Sequence, residues 1–194
     1  MVKRRLSQVL GAIEKGYAVD TFEGAFPMVQ TNLDIVAKSA TAVHAAVTLT
    51  TAAQEVTTAL TDPATFRCLE AVGNQGDVYA TVTIHGTDWA DRTISEAVLA
   101  SGTTPGVTLQ PFKTVSSVSL PVRSATGQTV SVGTTDKVGL YRPLAAGQTG
   151  VVVLKVDGTA EAAAAVDATY ATFTPTTATN GAHDYEVQYL IDVF

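Results

Sequence analysis

Apolar and polar residues alternate along most of this chain with a period of two, the repeat of a strand with one face buried. The clearest stretch runs from Val78 to His85. Val78, Ala80, Val82 and Ile84 fall on one face, and Tyr79, Thr81, Thr83 and His85 on the other. Val43, Ala45, Val47 and Leu49 alternate in the same way with His44, Ala46 and Thr48. Phe112 to Leu120 sets Phe112, Thr114, Ser116, Val118 and Leu120 against Lys113, Val115, Ser117 and Ser119, between Pro111 and Pro121, which suit a strand with exposed ends. Further strands are predicted over Gln54 to Leu60, Phe66 to Val72, Arg92 to Leu99, Thr129 to Val132, Lys137 to Tyr141, Val151 to Val156, Ala168 to Thr174 and Tyr185 to Val193. Turn signals divide them: Asp62-Pro63, Gly73 to Gly76, Gly86 to Asp91, Gly133 to Asp136, Asp157-Gly158 and Asn180-Gly181. Asp-Gly suits the type I′ turn of a two-residue hairpin. Glu161 to Val166 is Ala-rich and reads also as a helical turn. About ten to twelve short strands, with turns every ~8–12 residues, predict a mainly β chain whose body is a sandwich or barrel. That body is expected over residues 41–194.

The first forty residues follow another pattern. Leu6, Val9, Leu10 and Ile13 stand at i, i+3, i+4 and i+7, one face of a helix over residues 3–15, and Gly16 stops it. So short a helix is marginal alone and needs a surface, either its own domain or a neighbour. Residues 17–40 carry Tyr17, Phe22, Phe26, Pro27 and Met28 without periodicity. They are expected to form an extended arm, so that 1–40 is a helix and docking arm ahead of the body. Leaving such an apolar segment in water is costly, so the arm is expected to gain its order from contact.

Composition sharpens this picture. Thirty residues are Thr, and charged residues make up 15 %, against roughly 25 % in ordinary soluble domains. Thr is β-branched and suits a pleated surface. A sheet face carrying hydroxyls rather than charges is also cheaper to bury against another protein. Lys3, Arg4, Arg5 and Lys15 against Glu14 give residues 1–15 a charge of +3, and the rest, with eight basic and seventeen acidic side chains, carries −9. The body therefore lacks the basic stripe of a nucleic-acid binder, and the basic head suits an acidic protein partner, with nucleic acid the lesser option. Cys68 is alone, so neither an intrachain disulfide nor a Cys-based zinc site is expected. No apolar run approaches the ~18 residues of a membrane span, and the basic start is not followed by the apolar stretch of a signal peptide. The lone cysteine fits a reducing cytoplasm as the place of synthesis.

Chemistry-bearing residues are sparse. The sequence has no His-Glu-x-x-His, no Walker loop, no Gly-x-Ser-x-Gly elbow and no Cys-x-x-Cys. His44, His85 and His183 are scattered. His85 with Asp88 and Asp91 is the one suggestive group, but Asp at such positions caps turns, and a Ca²⁺ site needs about six to eight oxygens. No catalytic, metal or cofactor site is expected. Glu70 and Glu96 are expected on exposed strand faces. Trp89, at a loop tip, is either an exposed binding anchor or a ring folded back over its hairpin. The expected partner-binding residues are Arg4, Arg5, Leu6, Val9, Leu10, Ile13, Tyr17, Phe22, Phe26 and Trp89.

One stretch also resembles a known group. Val82-Thr83-Ile84-His85-Gly86-Thr87-Asp88, Ile94-Ser95-Glu96, Gly102, the run Phe112 to Pro121 and the run Val130 to Leu140 resemble a β-domain of tailed-bacteriophage and prophage structural proteins. Ala42 to Arg67, with Thr61-Asp62-Pro63, is similar to such proteins too, so the likeness covers roughly half to three quarters of the chain. His85 and Trp89 depart from it, and residues 1–40 look like an addition. The resemblance implies a virion structural protein and no enzyme, foremost a capsid decoration (cement) protein. Its expected partners are the major capsid protein and copies of itself in a homotrimer, with no nucleic acid and no membrane. Its expected place is the capsid surface. The alternatives are a neck, tail or baseplate protein and a carbohydrate-binding fibre or adhesin domain.

Overall fold

The computed structural model describes residues 25–145, 153–161 and 165–192, and the expected helix over 3–15 lies outside them. The described chain is mainly β and contains no helix. In chain order the strands are β1 (Ala25–Asp34), β2 (Ser39–Thr48), β3 (Gln54–Val56), β4 (Arg67–Gly73) and β5 (Tyr79–Thr87). Then come β6 (Thr93–Ser101), β7 (Gly106–Val107), β8 (Thr114–Leu120) and β9 (Thr129–Gly139). The last are β10 (Val153–Val156), β11 (Thr159–Ala160), β12 (Ala165–Asp167), β13 (Thr172–Thr174) and β14 (Asp184–Asp192). They form three sheets, ordered β1-β14-β10-β11, β12-β13-β9-β4-β7 with β2 also on β9, and β3-β8-β5-β6. The sheets include a curled half-barrel.

Two cores hold them. In the larger, Val82, Ile84, Val98 and Val118 of the third sheet meet Leu69, Ala71, Val130 and Val132 of the second, with Phe112 among them. In the smaller, Leu33, Ile35, Leu154, Tyr185, Val187 and Tyr189 pack with Val138, Leu140 and Phe173. The alternation read for Val78 to Ile84 holds: these four apolar residues are buried and Tyr79 and Thr81 are exposed. The Asp157-Gly158 hairpin also forms, with φ of 52° and 77°, between the paired Val156 and Thr159.

Elsewhere the structure departs from the pattern. Residues 25–34, expected within an arm, form β1, which pairs antiparallel with β14, and Leu33 and Ile35 enter the smaller core. A register shift between Gln30 and Leu33 breaks the alternation that would have marked this strand. Thr129 to Gly139 is one strand, not two around a turn. Gly133 serves a close approach where the register of β2 on β9 shifts: a Cβ there would overlap Ser39 O and the Ala40 backbone of β2. Val115 and Val118 are both buried although three apart, because β8 slips in register opposite His85 and Gly86. Ala168 to Thr174 is a turn followed by β13, since the Asp167 carboxylate accepts from the amides of Thr169 and Tyr170 at 3.1 and 3.2 Å. Val166, at the end of the Ala-rich run, lies in β12.

Candidate functional site: an aromatic cleft and an open sheet face

The turn after β5 is built by one carboxylate. Asp88 Oδ1 accepts from the amides of Ala90 at 2.8 Å and Arg92 at 3.0 Å, and its Oδ2 lies 2.7 Å from Arg92 Nη2. Burial pushes the Asp88 carboxyl up, but the bonds from Arg92 and the Ala90 amide outweigh it and hold the group below the usual carboxylate range. Asp91 pairs elsewhere, with Lys113 Nζ at 2.6 Å. The His85 ring bonds Ser119, so the three residues that looked like a cluster in sequence are spent on separate contacts.

This turn sets Trp89, half-buried, in the wall of a cavity of about 490 Å³. The other walls include Leu33, Pro63, Phe66, Lys113 and Tyr141. The volume lies in the ~300–1,000 Å³ range of small-ligand sites. Arg142 stands 4.9 Å from the Trp89 ring centroid and Arg92 5.8 Å, both within cation–π reach. Opposite, Phe66 and Tyr141 stack with centroids 6.1 Å apart and planes 20° apart. Gly139 makes room for that stack, since a Cβ on it would run into the Phe66 ring. The Pro63 loop is held by Asp62 Oδ1, which accepts from the Val115 amide at 2.8 Å.

A second surface is the outer face of the β3-β8-β5-β6 sheet. Tyr79, Thr81, Thr83 and His85 of β5 point outward there. Their neighbours are Ser95, Ala97 and Leu99 of β6, Ser117 and Ser119 of β8, and Glu55 of β3. Tyr79 is 70 % exposed and Leu99 53 %. The Ser119 hydroxyl donates to Glu55 at 2.6 Å and lies 3.2 Å from His85 Nε2. With its proton committed to Glu55, Ser119 accepts from His85, the reverse of the direction in which a base activates a serine. Bonds from Ser117 and Ser119 hold the Glu55 carboxyl below its ordinary value.

Of the residues expected to bind partners, Arg4, Arg5, Leu6, Val9, Leu10, Ile13, Tyr17 and Phe22 lie outside the described residues, Phe26 falls in β1, and Trp89 lines the cleft. His44 bonds the Ala45 carbonyl and His183 pairs with Asp157, each far in sequence from His85. Glu96 does not simply face solvent: its carboxylate accepts from the amides of Leu109 at 2.6 Å and Gln110 at 3.0 Å, anchoring a loop. Burial pushes the half-buried Glu70 carboxyl upward. Sequence reasoning missed Phe66, Lys113 and Tyr141 as cleft residues and Arg142 as the cation beside the Trp89 ring. The one signal present was an aromatic-basic pair, Tyr141-Arg142, just past a strand end. Comparison of the chain with protein-family models, curated proteins and solved structures finds no match.

Proposed function

We propose that this chain is a structural protein of a tailed-bacteriophage virion, a decoration protein that docks on the capsid lattice and on copies of itself through a β-sandwich body. The observation that carries the reading is the outer face of the β3-β8-β5-β6 sheet. Its outward residues are mostly hydroxyls and alanine, with exposed Tyr79 and Leu99, one carboxylate and no Lys or Arg. Such a face loses little by desolvation and gains by covering its apolar side chains. Many copies on a lattice make modest contacts effective. The resemblance of Val78 to Leu140 to phage structural proteins points the same way.

The test is occupancy on purified particles. Leu99→Asp, on the exposed face, leaves melting unchanged and removes the protein from heads. Full occupancy of that variant would refute docking through this face. Hundreds of wild-type copies per particle fit decoration, whereas tens or fewer move the protein to the neck, tail or baseplate. A truncation testing the N-terminal arm has to stop at residue 24, because β1 begins at Ala25 and is paired to β14.

A second reading, a saccharide-binding domain of a fibre or adhesin, is favoured by the cleft between Trp89 and Tyr141, whose partly exposed rings offer faces to a sugar.

A further inference from the structure

We propose that the cleft beneath Trp89 binds an acidic saccharide, a sugar ring bearing a carboxylate. The inference rests on the saccharide reading of that cleft and adds the charge of the ligand. Lys113 lines the cavity, and Arg92 and Arg142 stand against the ring of its Trp89 wall. Lys113 is matched by Asp91 at 2.6 Å and Arg92 by Asp88 at 2.7 Å. Arg142, exposed and 4.9 Å from the Trp89 centroid, pairs with no carboxylate among the described residues. Among the described side chains the Trp89 wall therefore carries one positive charge in excess, on a chain whose residues after 15 sum to −9. A local cation on an acidic body attracts an anion to this mouth.

The aromatic walls define the rest of the ligand. Tyr141 is 40 % exposed and rests on the buried Phe66, so its ring is held rigid. Trp89 is fixed by its turn and by the two guanidiniums. Rigid, partly exposed rings beside a proline accept the C–H face of a sugar; Arg142 supplies the charge that its carboxylate meets, and Lys113, which has N–H donors beyond the one facing Asp91, adds a hydrogen bond. A short aliphatic acid would leave the rings uncovered, and a neutral sugar would leave Arg142 unmatched. An acidic peptide offers the charge without a rigid ring face, so the geometry favours the saccharide.

The chain has one tryptophan, so its emission reports this cleft alone. The experiment titrates the full chain with sialylated and uronic-acid oligosaccharides, with their neutral parents, and with an acidic peptide. Acidic saccharides are expected to shift the emission saturably, at least about tenfold tighter than the neutral parents, and more weakly as salt rises. Arg142→Gln removes that preference while neutral binding stays, and Lys113→Gln serves as the second variant if Arg142→Gln lowers the melting temperature. Tyr141→Ala weakens both classes. Equal binding of acidic and neutral sugars overturns this inference and leaves the saccharide reading standing. No response to any saccharide, or a response to the peptide alone, overturns both.

Discussion

The hydroxyl of Thr179 donates to the Asp136 carboxylate at 2.5 Å, tying the loop before β14 to the central strand β9. Lys38 Nζ lies 3.0 Å from the same carboxylate. Burial pushes the Asp136 carboxyl up, but Thr179, Lys38 and Arg67 together hold it below its ordinary value. A carboxyl depressed in the folded state stabilises fully above its unfolded pKa, and that contribution is lost as pH falls through the folded one. Melting temperature is therefore expected to fall in acid, below about pH 4. Asp136→Asn should flatten that acid limb and cost about 1.5–3 kcal/mol at neutral pH. An unchanged limb would show that this cluster does not contribute.

Arg67 is fully buried at the start of β4. Its Nη1 donates to the Val36 carbonyl at 2.9 Å and its Nη2 lies 3.5 Å from Thr179 Oγ1, while its Nε has no partner among the described residues. Burial lowers its pKa. Arg67→Ala removes volume and leaves Asp136 with less compensation, at an expected cost of about 3 kcal/mol or more. Arg67→Met keeps the volume and sheds an incompletely satisfied charge, so its expected cost is under about 1.5 kcal/mol. Urea denaturation of the two variants gives the comparison, and equal losses would mean that the charge, not the volume, matters.

Gly133 lies where β2, paired with β9, shifts register between Ser39 and His44. Gly133→Ala places a methyl group on the Ser39 and Ala40 backbone, which has no flexible end to swing away. The expected loss is ~1–3 kcal/mol, read from denaturation midpoints. Gly127→Ala, with open space around it but φ of 82°, controls for backbone strain alone.

Cys68 is buried on β4, and its Sγ–H donates to the Leu109 carbonyl at 3.4 Å. Burial pushes its thiol up to about 12, so almost no thiolate exists at neutral pH. Thiol reagents should label the native protein only at its rate of unfolding, and fully in denaturant. Rapid labelling of the native chain would contradict this burial.

Much of the fold is legible in the residues. The Val78 to Ile84 face, the Asp157-Gly158 hairpin and the closing strand follow from alternation and turn chemistry, both local signals. β1 was not legible, because its bulge spoils the period and Leu33 declares itself apolar without saying against what. Nor was the unity of β9: Gly133, Thr134, Thr135 and Asp136 form a good turn sequence, overridden by pairing with β2 and β4. Of the cleft, Trp89 stood out by its rarity. Arg142 and Tyr141 did not, since nothing near them in the chain announces a tryptophan from another strand end.

Alternation, β-branched side chains and turn residues were enough to determine that this chain folds into sheets, where several strands run, and which side of β5 is buried. Those properties depend on neighbours one to four residues away. Which strand pairs with which, the burial of Arg67, the spending of Asp88, Asp91 and His85 on separate partners, and the gathering of Trp89 and Tyr141 at one cavity, with Arg142 beside the tryptophan ring, were decided only by the tertiary structure. They depend on contacts between residues far apart in the chain, which local pattern does not encode and which form only when whole sheets pack together.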